Sequence, residues 1–274
     1  MAELLLQNLT WRKAREAFEK FPVVVVPVAS TEQHGTVLPL GTDYFIGTKV
    51  AQEAAEEAGA VCTPTVPIGV SPHHRQFWGT LWVPAQVFID YLTHVCLSLK
   101  EHRICKVVIA NSHGGNAPAI GEVIYNLRKD HGMLAVEWEW WNAVKDSEAS
   151  RGMWVPGHAG AGESSLMLAF YRSLVDEEEL ERSGDPTSPT NWIWPERLPD
   201  GRPSSKSRLE EFGATIGRWD LGDLSSTGCT DDPSLGDAEK GRQMYEMAKK
   251  KLIELLIYLK DARLEDYLPQ PHAV

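Results

Sequence analysis

Five side chains able to bind metal fall at two kinds of position in this chain. Glu32 and His34 follow the apolar run VVVVPV, His113 follows KVVIAN, and Asp43 and Glu163 open helical stretches. Carboxylate oxygen and imidazole nitrogen suit Zn, Mn or Fe. Three carboxylates and two imidazoles exceed what one ion with an open position uses, so the set fits two divalent ions sharing Asp43 as a bridge. Charge agrees, because three carboxylates and a bridging hydroxide balance two divalent ions, and buried charge is tolerated when compensated. Two ions roughly 3.5–4 Å apart activate water and polarise a carbonyl, so the chemistry expected is hydrolysis. Singly, each residue has an ordinary explanation: Asp43 as an N-cap, Glu163 as a helix-dipole partner, Glu32 as a solvated loop acid, H-G-G-N as a tight turn. Their joint placement is what argues for a metal centre.

The elements that must carry these residues are those of a parallel sheet. Residues 23–28 and 106–111 are short β-branched runs, suited to strands buried on both faces. Loops at the carboxyl ends of such strands form the ligand-binding edge of an open α/β sheet. If the chain stays extended past Ser30, Glu32 and His34 point the same way. Helices are expected over 10–20 (capped by Thr10), 44–58, 84–102, 117–131, 164–171 and 237–259, and further strands over 60–67 and 132–141. The loop GVSPHHRQFWGT brings His73, His74, Phe77 and Trp78 together and suits either a pocket lining or an oligomer contact. Gly114 and Gly115 let backbone approach a ligand closely. His158 lies in a Gly/Ala loop. Residues 183–235 form a long excursion, rich in Gly, Pro, Ser and Asp, that carries Trp192, Trp194 and Trp219; it is expected to lie over the site or against a neighbouring subunit.

Composition sets the outer bounds. At 274 residues the chain is long enough for one large α/β domain, expected over 1–274. The net charge of −11 with no basic block argues against nucleic acid or an anionic membrane as partner. There is no basic leader and no long apolar run, so the expectation is a soluble cytoplasmic protein. The four cysteines are scattered without a C-x-x-C pair and read as reduced packing residues.

With these residues in view, the sequence resembles the creatininase family of metal-dependent amidohydrolases. The shared pieces are S-T-E-Q-H-G, the L-P-L-G-T-D run ending at Asp43, N-S-H-G-G-N at 111–116 and G-H-A-G-x-G-E-S-S at 157–165. W-G-T at 78–80 and D-P-S-L-x-x-A-E-K-G at 232–241 add weaker support, and the resemblance covers roughly residues 8–260. It implies a three-layer α/β/α sandwich with a mostly parallel sheet, a binuclear centre of Zn, Mn or Fe, and a homohexamer. Glu32, Asp43 and His113 match the ligands of one ion, and His34 with the shared Asp43 match two ligands of the other. Creatinine-hydrolysing members take their last ligand from a Glu two residues after the N-x-H histidine, where this chain has Gly115. Either that second ion is missing or another acid supplies the ligand, and Glu163 is the choice made here.

His158 matches the family's catalytic histidine, which implies proton transfer to a leaving nitrogen while a metal-bridging hydroxide attacks the carbonyl. Trp141 and Trp154 match tryptophans that line the substrate pocket in those members; with Trp78, His74, Gly114 and Gly115 they form the expected substrate-binding set. The expected reaction is hydrolysis of a C–N bond in a small cyclic or formylated amide. Two alternatives stay open: hydrolysis of a cyclic polyhydroxy diketone at the same centre, and a metal-stabilised binding protein without turnover.

Overall fold

The β-branched run near the N-terminus becomes an interior strand of a parallel sheet. The computed structural model describes residues 4–153, 155, 157–184, 212, 214, 220–223 and 225–270. In it β1 (Val24–Val28) lies between β2 (Val61–Cys62) and β3 (Lys106–Asn111), and β4 (Leu134–Glu139) pairs with the other side of β3. All three pairings are parallel, with Val24 opposite both Val61 and Val107, and Val107 opposite Ala135.

The uninterrupted apolar character of β1 follows from burial on both faces. Val24, Val26 and Val28 join Val107 and Ile109 in one core, closed by residues of α1 (Trp11–Lys20), α3 (Ala85–Glu101) and α4 (Ala117–His131), among them Phe18, Phe88, Leu92, Ile120 and Val123. Val25, Val108 and Ala110 face the other core, closed by α2 (Thr42–Ala58), α5 (Trp140–Val144), α6 (Ala161–Phe170) and α8 (Ala238–Asp261). A short α7 (Glu177–Ser183) follows α6. The expected three-layer α/β/α sandwich is therefore what the chain forms. Among the described residues no helix is long and apolar enough to cross a membrane.

Three boundaries differ from expectation for local reasons. The strand expected over 60–67 shortens to Val61–Cys62, because Pro64 and Pro67 have no N–H to give a ladder. The segment still follows β1 through Thr63 N–H to the Val25 carbonyl (2.9 Å) and Val66 N–H to the Pro27 carbonyl (3.0 Å). The strand expected over 132–141 ends at Glu139, and Trp140 and Trp141 start a short helix, packed edge to face at 82°. The helices expected at 44 and 164 begin at Thr42 and Ala161, which puts Asp43 and Glu163 inside their first turns. Most of the 183–235 excursion, including Trp192, Trp194 and Trp219, lies outside the described residues.

Helix α6 is held against α8 at backbone distance. A Cβ added at Gly241 would collide with the Ser165 carbonyl, so only glycine lets the two helices close there. Asp237 caps α8 by accepting from Lys240 N–H, and its own N–H donates to Ser165 Oγ at 2.9 Å.

Candidate metal centre

Two strand-end loops and two helix starts converge at the carboxyl edge of the sheet. The loop after β1 brings Glu32 and His34, and β3 hands over to His113. The first turns of α2 and α6 supply Asp43 and Glu163. All five residues predicted as ligands meet here. Ligand atoms of Glu32, Asp43 and His113 lie within 4.8 Å of one another, as do those of His34, His158 and Glu163. Asp43 links the two sets: its Oδ2 is 3.3 Å from His113 Nδ1 and its Oδ1 is 3.2 Å from His34 Nε2. His113 Nδ1 is 3.0 Å from Glu32 Oε1, and His34 Nε2 is 3.7 Å from Glu163 Oε2.

The far nitrogen of each imidazole is already engaged. His34 Nδ1 meets the Glu32 carbonyl at 3.0 Å and His113 Nε2 meets the Val70 carbonyl at 3.2 Å. A carbonyl only accepts, so both contacts require a ring N–H, and the other nitrogen turns inward. This is the outer support that orients metal-binding histidines.

The carboxylates test whether an ion fits. Glu32 is fully buried, and among the described residues neither of its oxygens, nor Asp43 Oδ2, has a hydrogen-bond partner of good geometry. An ionised carboxylate buried without partners is costly, so the arrangement calls for a compensating cation. Ligand atoms about 2.1 Å from one ion stand roughly 3–3.4 Å apart at right to tetrahedral angles, and the 3.0 and 3.3 Å from His113 Nδ1 to Glu32 and Asp43 fall in that range. Without an ion, protons play that part. Burial alone would lower the His34 and His113 pKa values, but the facing carboxylates, Asp43 and Glu163 for His34 and Glu32 and Asp43 for His113, raise both to about 10. Asp43 is opposed by burial yet driven well below the usual carboxylate range by His34 and His113. Burial raises Glu163 to about 7 against the pull of His34.

His158 stands at the more open side of the cluster, with its ring 4.3 Å from that of His34 between centroids. Burial, with His34 and His113 nearby, lowers its pKa well below the ordinary value, so it is neutral. Its loop is tied down by His158 N–H to Thr230 Oγ1 (2.7 Å), Thr230 N–H to the His158 carbonyl (2.9 Å) and Ala161 N–H to Asp231 Oδ2 (3.2 Å). Ala159 takes a positive φ of 53°, a strained conformation for a residue with a side chain, and its N–H donates to Glu163 Oε2 at 2.7 Å.

The residues predicted to bind substrate are dispersed. His74 is buried in the cluster, with Nε2 3.4 Å from Glu32 Oε1. Gly114 is exposed with open space around it, whereas a Cβ at Gly115 would collide with the His113 ring and the Val70 carbonyl. Trp141 is buried in the core on the α8 side, and its side chain hydrogen-bonds Glu139. Trp78 is 98% exposed and lines no buried wall within the described residues. Trp154 lies outside those residues. Two contributors escaped the sequence reading. Gln33 sits between His74 and His158, and residues 228–231 close the back of the cluster. An amide side chain between two ligands in S-T-E-Q-H-G was the available signal for the first; residues 228–231 offered none.

Comparison with known proteins gives the chain a family and a fold. The sequence model of the creatininase family, described as creatinine amidohydrolase, matches residues 7–256. A mycofactocin precursor peptide peptidase of Mycolicibacterium smegmatis is 31% identical over 209 residues, covering 73% of this chain and 77% of that one. A 3-dehydro-scyllo-inosose hydrolase of Thermotoga maritima is 30% identical over 182 residues, which are 63% of this chain and 58% of that enzyme. A crystal structure of creatinine amidohydrolase superposes with a TM-score of 0.76 at 23% identity, covering 96% of this chain and 100% of that one, a likeness of fold.

Proposed function

This chain belongs to the creatininase family, and we propose that it is a two-metal hydrolase that cleaves a C–N bond in a small cyclic or formylated amide. The observation that carries the reading is the fully buried Glu32 carboxylate, without hydrogen-bond partners among the described residues and facing an imidazole, with Asp43 turning one oxygen toward each histidine. In this reading Glu32, Asp43 and His113 hold one ion, and His34, Asp43 and Glu163 hold the other. Bound Zn, Mn or Fe would lower the pKa of a water and polarise the scissile carbonyl. Glu163 takes the place of the acid that Gly115 lacks, and its approach to His34 supports that role.

The remaining work falls to His158. A neutral imidazole beside the carboxylates, less enclosed than they are, can accept a proton and return it to a leaving nitrogen. Trp78, Trp141 and Trp154 are proposed to contact substrate, the exposed Trp78 from within an assembly. The likeness to the Thermotoga enzyme favours the second reading, a cyclic polyhydroxy diketone as substrate.

Elemental analysis of wild type and Glu163→Gln tests the ligand set. Two ions per chain are expected in wild type and about one in the variant, as follows from losing a ligand of a two-metal site. Equal metal content in the two proteins rules out Glu163 as a ligand. Metal-replete protein is then offered cyclic amides, formylated amines, short peptides and cyclic diketones. Turnover of the diketones alone would establish the second reading.

A further inference from the structure

We propose that Gln33 is a positioning residue that sets the proton positions on His74 and His158. It leaves His158 with an unprotonated Nδ1 facing the carboxylates and His74 with an Nε2–H on the side of Glu32. The inference deepens the metal-centre reading, but the proton positions follow from hydrogen-bond accounting alone.

The side-chain amide of Gln33 is oriented by two backbone groups of fixed polarity. Gly35 N–H can only donate and lies 2.9 Å from Oε1, while the Gly228 carbonyl can only accept and lies 3.1 Å from Nε2. The NH2 end therefore points at the histidines. It stands 2.8 Å from His74 Nδ1 and 2.9 Å from His158 Nε2, so three acceptor positions compete for two hydrogens.

The backbone carbonyl of Gln33 resolves the competition. It lies 2.8 Å from the same His158 Nε2, and a carbonyl needs a donor. If His158 Nε2 carries the proton, the Gln33 carbonyl, the Gly228 carbonyl and His74 Nδ1 are all satisfied. If it does not, the Gln33 carbonyl loses this donor and one of the other two acceptors goes without. Leaving a buried acceptor unpaired costs about 1–3 kcal/mol, so the first arrangement prevails.

One residue thus acts on both rings, through its main chain on His158 and through its side chain on His74. His158 Nδ1 is then bare and 3.7 Å from Glu32 Oε1, on the side where a proton must be taken up or released. His74 has committed its only lone pair to Gln33, and its Nε2–H is left on the side of Glu32, whose Oε1 lies 3.4 Å from Nε2 without forming a hydrogen bond. The grouping of Glu32, His74 and His158, whose ligand atoms also lie within 4.8 Å of one another, is therefore not an ion site.

The test uses metal-free protein with isotopically labelled histidine, so it reads proton positions whatever the enzyme hydrolyses. Nitrogen NMR resonances are assigned with His74→Asn and His158→Asn. The expected wild-type result is one-bond proton coupling at Nε2, and none at Nδ1, in both rings. In Gln33→Glu the carboxylate can only accept, so the His74 coupling moves to Nδ1 while His158, held by the backbone, does not change. A wild-type proton on Nδ1 of either ring overturns the proposal. So does a Gln33→Glu spectrum in which His74 is unaltered. Should that variant not fold, the wild-type assignment decides alone.

Discussion

At the scale of single residues, ligation and proton transfer are proposed to fall to different side chains, although the ligand atom of His158 also lies within 4.8 Å of those of His34 and Glu163. His158 is neutral and apart from the Glu32–Asp43–His113 set. His158→Ala is expected to reduce turnover by the ~10²–10⁴-fold that general acid–base groups supply, and to leave metal content at the wild-type level. Loss of metal together with activity would make it a ligand instead. His34 and His113 give a second expectation, for the metal-free protein. Their folded pKa values of about 10 lie above the unfolded value, so the stability they contribute is whole below about pH 6.5 and is lost as pH rises through 10. Melting temperatures of metal-free protein should fall between these limits, while metal-loaded protein, with ions in place of those protons, should change less. A metal-free melting temperature that is flat across this window would contradict the assignment of both imidazoles.

At the scale of elements, the loop between β3 and α4 leaves no room at 115 for the acid that the resemblance to creatinine-hydrolysing members implies there. The His113 ring and the Val70 carbonyl occupy the space a side chain would need, and the same carbonyl orients His113. Gly115→Glu is therefore expected to lower metal content and thermal stability, as measured by elemental analysis and melting; a gain in metal would show that the loop can accommodate the acid. Much of this layout could be read in the sequence. The β-branched runs marked β1 and β3, and a candidate ligand shortly after each run fell at the sheet's carboxyl edge. What could not be read depends on contacts between distant segments. Pro64 shortens β2, although the segment still hydrogen-bonds to β1. Trp140 and Trp141 continue an apolar pattern that fits a strand, yet they turn into a helix against the α8 side of the core. The support from Thr230 and Asp231 joins residues seventy positions apart and leaves no periodic signal.

At the scale of the whole molecule, the exposed apolar surface points to self-association. Trp78 is the most exposed of the large apolar residues described, and Trp82, Val87 and Tyr91, along the following segment and α3, are exposed as well. Sedimentation of wild type should show an oligomer, for which the family resemblance implies a hexamer, and Trp78→Ser should shift the distribution toward smaller species. An entirely monomeric wild type would remove Trp78 from the proposed substrate contacts. The close seating of α6 on α8 reaches further. Glu163 belongs to a helix seated on the C-terminal helix through Gly241 and Asp237, and α2, whose first turn carries Asp43, packs on the same C-terminal helix, with Lys249 Nζ 3.5 Å from Glu57 Oε2. The two ions would then answer to one distant support: a disturbance near the C-terminus would reach both through Asp43 and Glu163, so gradual chelation or heating should empty the centre in a single stage.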